Sequence, residues 1–350
     1  MRNDAPCFPF FRGGEGKHGM MKKLAIGTAL ALALLLILPA RAYALEAAEL
    51  IPVGEAVGIE LMTDGVMVVG LGEVETSGGT VRPAADAGLK AGDVIKKIGD
   101  RDTSCAADFL AAVGTLRGEA VRVTALRGGR ELSFDVTPAK NTEGSYQLGL
   151  WLRDGVSGIG TVTFYDPDSG TFGALGHGIN DIDTGALLPF DGGSITGATV
   201  VDVIRGNPGT PGELCGRFDR ETILGALEKN TDSGIFGKIS AGISGEPLPV
   251  AAEDEVTLGP ATILSNVNGD QVEEFSVEIS RVYREAGDNR FLLLTVTDEA
   301  LLERTGGIVQ GMSGSPILQN GKLVGAVTHV LISDPTRGYG ISIEDMLKAA

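Results

Sequence analysis

Histidine and cysteine are scarce in this chain. Three of each occur in 350 residues: His18, His177 and His329, and Cys7, Cys105 and Cys215. No CxxC pair exists, so the Cys/His clusters that hold structural zinc are excluded, and neither a metal nor another cofactor is expected. A disulfide framework is excluded on the same ground; the one pairing open to an oxidising compartment is Cys105 with Cys215. Positive charge is short as well. Lys and Arg number 29 against 46 Asp and Glu, a net charge of −17, which leaves no general attraction for phosphate backbones and argues against nucleic-acid binding. What is abundant is glycine, 52 residues, roughly twice the usual share of about 7% and without a collagen-like period. Helix interiors disfavour glycine, whereas tight turns and close backbone approaches need it. The composition therefore predicts a mainly β protein of many short strands, and the length allows about two domains.

Residues 1–44 read as an export signal or membrane anchor. Met20-Met21-Lys22-Lys23 precede an apolar run from Leu24 to Leu38, followed by Pro39-Ala40-Arg41-Ala42-Tyr43-Ala44. A basic start, an apolar centre and an Ala-x-Ala site are the parts of a secretory signal. The run falls short of the roughly 20 residues that span a bilayer, unless flanking residues are recruited. Residues 1–19, with Pro6, Cys7 and three nearby phenylalanines, fit no signal pattern, so translation is expected to start at Met20 or Met21.

A first folded unit is expected over 51–139. Its centre, Arg82-Pro83-Ala84-Ala85-Asp86-Ala87-Gly88-Leu89-Lys90-Ala91-Gly92-Asp93-Val94-Ile95, predicts a helical turn, a glycine-bounded turn and a strand. A helix is expected over Ala106 to Leu116, and two strands flank the hairpin signal Gly128-Gly129. The pattern resembles the PDZ domains of bacterial proteases, which implies an α+β module that binds an extended peptide, or the C-terminus of a polypeptide, by strand addition. Gly65 to Leu71 is the candidate edge strand for that peptide, with Val66, Met67, Val68 and Val69 as the binding residues. An ordinary core strand is the other reading.

A second unit is expected over 145–350. Strand patterns at Gly160–Tyr165, Thr199–Ile204, Ala261–Leu264, Phe275–Val282, Phe291–Val296 and Leu323–Ile332, with turn clusters such as 287–289 between them, predict a sandwich or paired barrels. Helical patches are expected at Arg220–Lys229, Glu299–Arg304 and Glu344–Ala349. Chemistry concentrates in two places. In Gly311-Met312-Ser313-Gly314-Ser315-Pro316, glycines let the backbone fold sharply. The N–H groups of Gly311 and Ser313 are then able to face one oxyanion beside a nucleophilic hydroxyl. A plain glycine turn, and Ser315 as nucleophile, are the competing readings. In Gly173-Ala174-Leu175-Gly176-His177-Gly178, small neighbours leave the His177 imidazole accessible as a general base, whereas His329 reads as structural. The α/β-hydrolase elbow Gly-x-Ser-x-Gly is excluded, because Ser315 stands at its last position and the histidine precedes the serine. Histidine first and serine last is the chymotrypsin order. Lys322 as the base of a Ser–Lys dyad is disfavoured, since a solvated lysine holds its proton.

These motifs, with Gly158 to Pro167, Phe172 to Asp181, Pro211-Gly212-Glu213-Leu214, Thr305 to Ile317 and Gly325 to Val330, resemble the stage IV sporulation protein B family of peptidases. The resemblance implies a chymotrypsin-like β-barrel serine peptidase acting in the space between the two membranes of a developing spore. There it would cleave a membrane-anchored inhibitor of an intramembrane protease, and itself, so that a late sigma factor is activated. It assigns Ser313 as nucleophile, His177 as base and Asp298 as acid; Asp181, Asp183, Asp191 and Asp202 are the rival carboxylates. A catalytically inactive PDZ adaptor at the membrane surface is the alternative.

Overall fold

The computed structural model describes residues 48–182, 185–240, 242–284 and 290–350, apart from the side chain of Arg220. The export segment, Asp183 and the turn at 287–289 lie outside this range. Among the described residues no helix is long and apolar enough to cross a membrane.

Alternation of buried and exposed residues makes most of the chain strand, and two long strands organise it. β1 (Ala56–Leu71) buries Ala56, Val57, Ile59 and Leu61 in its first half and Val66, Met67 and Val68 in its second. After the first helix, α1 (Pro83–Asp86), and β2 (Val94–Ile98) comes α2 (Ala106–Val113), then the hairpin of β3 (Val121–Arg127) and β4 (Arg130–Val136). Gly128 and Gly129 turn this hairpin with φ of 55° and 75°, values that carry no steric penalty only for glycine. The second long strand, β5 (Leu150–Tyr165), runs antiparallel to β1 along nearly its whole length. One sheet therefore has the order β5-β1-β2-β3-β4. With α1 and α2 it encloses a core of Val66, Val68, Leu89, Ile95, Phe109 and Val123, each stabilised by about 1.5–3 kcal/mol on burial.

The expected edge strand is thus an interior one. Val66 and Met67 pair with Ile95 and Val94 on one side, while Met67 and Val68 pair with Arg153 and Leu152 on the other. Val66, Met67 and Val68 are at most 2% exposed. Their backbone groups are already engaged in two ladders, so Val66 to Val69 offer no edge to a peptide.

The first half of β1 and the second half of β5 close a barrel. β5 passes to β6 (Thr171–Ala174), β6 to β9 (Gly234–Ile239), β9 to β8 (Glu213–Thr231), β8 to β7 (Phe190–Ile204), and β7 back to β1. Ile51, Val57, Ile59, Val162, Phe172 and Ile235 fill it. The expected boundaries at 51–139 and 145–350 therefore cut through shared strands: Ile51 and Ile59 belong to the barrel core, and Leu148 and Leu150 to the PDZ-like one. The helix expected at Arg220–Lys229 is part of β8. A second closed barrel is formed by β10 (Gly259–Asn268), β11 (Gln271–Val282), β12 (Leu292–Val296), β15 (Arg337–Ser342), β14 (Lys322–Val330) and β13 (Pro316–Gln319). Helices α3 (Glu299–Thr305) and α4 (Ile343–Ala349) stand where the sequence places them. The fold is mainly β, with a PDZ-like sheet and two six-stranded barrels.

Candidate active site

His177 follows β6 of the first barrel, and Ser313 precedes β13 of the second. Two glycines let these loops touch. A Cβ on Gly314, whose φ is 98°, would stand 2.0 Å from the Thr161 carbonyl oxygen and 2.6 Å from Leu175 N. A Cβ on Gly176, φ 69°, would meet Thr328 Cγ2 at 2.9 Å. Leu175 shares the left-handed region at φ 69°, a conformation that a branched residue keeps only where its surroundings enforce it. His177, Ser313, Gly311 and His329 then line one cavity of about 580 Å³ with Ile59, Val156, Ile159 and Arg153.

The serine loop is fixed peptide by peptide. Leu214 N donates to Gln310 O at 2.8 Å, and Ser315 N to Met312 O at 3.0 Å. In a trans peptide the N–H points opposite to its carbonyl, so these two bonds turn the N–H groups of Gly311 and Ser313 the other way. Thr161 secures the alternate peptides, its Oγ1 donating to Gly311 O at 2.8 Å and its N–H to Ser313 O at 3.0 Å. Met312 N and Gly314 N are taken up by Val309 O and Val327 O. Among the described residues, the N–H groups of Gly311 and Ser313 are the pair left without an acceptor in this run. Two unused donors on one turn beside a serine are what an oxyanion-hole arrangement requires.

The Ser313 hydroxyl donates to Thr328 O at 2.7 Å, and among the described residues no hydrogen bond joins it to His177. His177 Nδ1 lies 2.9 Å from Gly178 O. A carbonyl only accepts, so Nδ1 carries the proton and Nε2 keeps the lone pair that a base requires. Burial lowers the His177 pKa from its ordinary 6.5, against the smaller opposing effect of the Gly178 bond. His329 is not a core residue. Thr328 takes the inward position of β14 at 1% exposure, and His329 faces out, its ring centroid 4.9 Å from that of His177. Burial, then the like charges of His177 and Arg290, hold His329 down to about 4.

The other sequence candidates fall elsewhere. Asp298 is the N-cap of α3: one carboxylate oxygen accepts from Leu301 N at 3.0 Å, the other from Ser276 N at 3.3 Å. The structure does not bring it to the imidazole, because both oxygens serve the backbone of the second barrel. Asp181 is fully buried and pairs with Arg153 at 2.6 Å. Asp191 is exposed, and exposed Asp202 accepts from Val203 N. Ser315 is fully buried and bonded to Ser265, which withdraws it as a rival nucleophile, and Lys322 pairs with Glu255 at 2.5 Å. Cys105 and Cys215 are separate thiols. Sequence reasoning missed Thr161, Thr328 and the Gly178 carbonyl. Thr328 and Gly178 act through their carbonyls, and Thr161, which acts through both its N–H and its hydroxyl, differs from other strand threonines by no sequence signal.

Residues 144–347 match the family described as SpoIVB peptidase S55. No curated protein matches this sequence. Among solved structures, the PDZ domain of the SdrC-like protein (Lmo2051) from Listeria monocytogenes is 26% identical over 26% of this chain and 90% of that one, with a TM-score of 0.22. Rv3671c protease in an inactive form is 15% identical over 55% of this chain and 82% of that one, with a TM-score of 0.33. A mutant inactive form of Rv3671c from M. tuberculosis H37Rv is 17% identical over 55% and 81%, with a TM-score of 0.30. The matched span exceeds half the sequence, and the protein belongs to the SpoIVB peptidase S55 family of serine peptidases.

Proposed function

We propose that Ser313 and His177 carry out peptide hydrolysis. The Ser313 hydroxyl leaves Thr328 O, gives its proton to His177 Nε2 and attacks the scissile carbonyl carbon. The N–H groups of Gly311 and Ser313 receive the oxyanion, and His177 returns the proton to the leaving amine. Water then releases the acyl group from Ser313 by the same steps in reverse order of partners. The Gly178 carbonyl orients the imidazole, the place that a carboxylate fills in the Ser-His-Asp arrangement. The observation that carries this reading is the pair of unused N–H groups beside Ser313 in the cavity that also holds His177.

The substrate in this reading is a membrane-anchored regulatory protein, and the enzyme also cleaves itself. It works in the space between the two membranes of a developing spore, where the cut frees an intramembrane protease that activates a late sigma factor. Export by the N-terminal segment fits that site of action. A fluorophosphonate probe should label the wild-type protein and leave Ser313→Ala and His177→Ala essentially unlabelled, and both variants should lose self-processing. Equal labelling of Ser313→Ala would overturn the assignment. Absence of any labelling or processing in the wild type would instead favour the inactive adaptor.

A further inference from the structure

The His177 imidazole is aimed by one peptide group, and that group is itself held. Nδ1 of His177 lies 2.9 Å from Gly178 O. Gly178 O and Ile179 N–H belong to the same trans peptide, so they point in opposite directions. Ile179 N donates to Oδ1 of Asn230 at 2.9 Å. The bond on one side of the plane therefore directs the carbonyl on the other. Without it the plane is free to swing about its flanking single bonds, and Gly178, having no Cβ, resists that motion little.

Asn230 suits this role by its type and its place. It stands near the end of β8, paired with Ile235 of β9, so its backbone belongs to the ladder of the first barrel. Its amide nitrogen donates to Ile179 O at 3.0 Å and to Leu188 O at 3.2 Å. A primary amide offers one acceptor oxygen and two N–H donors on a short stem, and here one donor and two acceptors face it. Only one orientation of the amide satisfies all three. Gly178 packs so closely on the end of β8 that a Cβ added to it would stand 2.7 Å from Thr231 O. Gly178 and Ile179 line the cavity, and Asn230 holds them from the β8 side.

We propose that Asn230 is a positioning residue for the reaction: by fixing the peptide between Gly178 and Ile179, it keeps the proton of neutral His177 on Nδ1 and the lone pair on Nε2. The proposal rests on the assignment of His177 as base. An imidazole whose proton sits on Nε2 has no lone pair there to accept the Ser313 proton. A carboxylate holds the tautomer in the Ser-His-Asp arrangement; here a neutral side chain does so through one peptide. Because Asn230 acts on the base and not on the bound peptide, its loss should register in kcat rather than KM.

The test uses the full-length protein and a synthetic peptide spanning a cut site mapped in β-casein. Asn230→Ala should lower kcat about 10- to 100-fold with KM nearly unchanged. With isotopically labelled histidine, the His177 nitrogen signals, identified by their absence from His177→Ala, should place the proton on Nδ1 in wild type. In Asn230→Ala they should show the Nε2 tautomer gaining. Asn230→Asp keeps an oxygen for Ile179 N–H but donates nothing to Ile179 O or Leu188 O. It should unfold at a lower temperature than wild type, yet keep the Nδ1 proton and most of kcat. A mere brace of the loop gives another pattern, in which both variants lose stability and neither changes the tautomer. That pattern, or equal loss of kcat in the two folded variants, would overturn the proposal. So would a wild-type His177 with its proton on Nε2, a result that needs no variant to fold. Failure of the wild type to react with the fluorophosphonate would instead mark failure of the assignment of Ser313 and His177 on which the proposal stands.

Discussion

The two barrels differ in how they close. The second closes on itself through six strands that serve no other sheet. The first includes the β1–β5 pairing in its ring, and both of those strands leave it to become neighbouring strands of the PDZ-like sheet. Ser313 sits on the self-contained barrel and His177 on the shared one. The serine loop depends on both: its backbone comes from the second barrel, but Thr161 and Leu214, which hold its peptides in place, belong to β5 and β8 of the first. In the proposed mechanism the oxyanion donors therefore depend on how well the barrels are docked, and anything that moves β5 moves one of their supports.

The strongest way to break this arrangement is Gly314→Ala. The added methyl would lie 2.0 Å from the Thr161 carbonyl oxygen, a backbone atom, at a φ of 98°. Neither contact nor conformation can be relieved without parting the loops. Stability should fall by about 2–4 kcal/mol, and kcat/KM by about a thousandfold or more as the anion site opens. Gly176→Ala sharpens the contrast, because its methyl meets the Thr328 and Ile341 side chains at about 3 Å. Its loss should be clearly smaller in both thermal unfolding and peptidase assays. Thr161→Val comes next. It keeps the shape of β5 and removes one bond to Gly311 O, so kcat should fall about 10- to 100-fold with KM nearly unchanged. An unchanged kcat would show that the first barrel does not hold the anion site.

The pH profile tests the other side of the seam. Only neutral His177 accepts the serine proton, and burial lowers its pKa from 6.5. The acid limb of kcat/KM, which reports the free enzyme, should therefore have its midpoint below 6.5, leaving a few-fold advantage near pH 6 over an unperturbed histidine. The same burial makes unfolding take up a proton, so stability should decline as pH falls below 6.5 and hold above it. A midpoint at or above 6.5 would mean that the imidazole is solvated in the working enzyme.

Much of this arrangement is legible in the sequence, and the exceptions have physical causes. Phe275–Val282 is readable because one face is buried and the side-chain period is two, and Gly160–Tyr165 because it is a short β-branched and aromatic run buried on both faces. His177 and Ser313 stand out because glycines crowd both, and the structure uses those glycines for loop contact. Arg220–Lys229 reads as helix because Glu, Leu, Ala and Lys dominate it, yet β7 and β9 pair with that stretch on both sides, and tertiary pairing overrides propensity. The edge role expected of Val66–Val69 fails for a related reason: no sequence pattern foretells that β5, more than eighty residues later, fills the open side of β1. His329 reads as structural because its strand is apolar, but the inward position there is Thr328, and the His329 ring lies against His177.

Asp298 gives the smallest effect and the cleanest separation of the two barrels' roles. Thr297-Asp298-Glu299 ahead of Leu301 and Leu302 carries the signature of a helix start, and the Asp298 carboxylate caps α3 while holding Ser276 N of β11. It acts as a brace of the second barrel. Asp298→Ala should lower stability by about 1 kcal/mol, the usual loss for a cap, and Asp298→Asn by less, since an amide oxygen still accepts. In both variants kcat/KM should stay within about twofold of wild type once measured well below the unfolding temperature, because Asp298 is bonded to the backbone of its own barrel and His177 Nδ1 to Gly178 O. A triad carboxylate behaves otherwise, its conversion to an amide lowering kcat by about ten-thousandfold. A loss of that size in Asp298→Asn, with its unfolding temperature unchanged, would mean that the working enzyme rebuilds this seam, bringing a carboxylate of the second barrel to the histidine of the first.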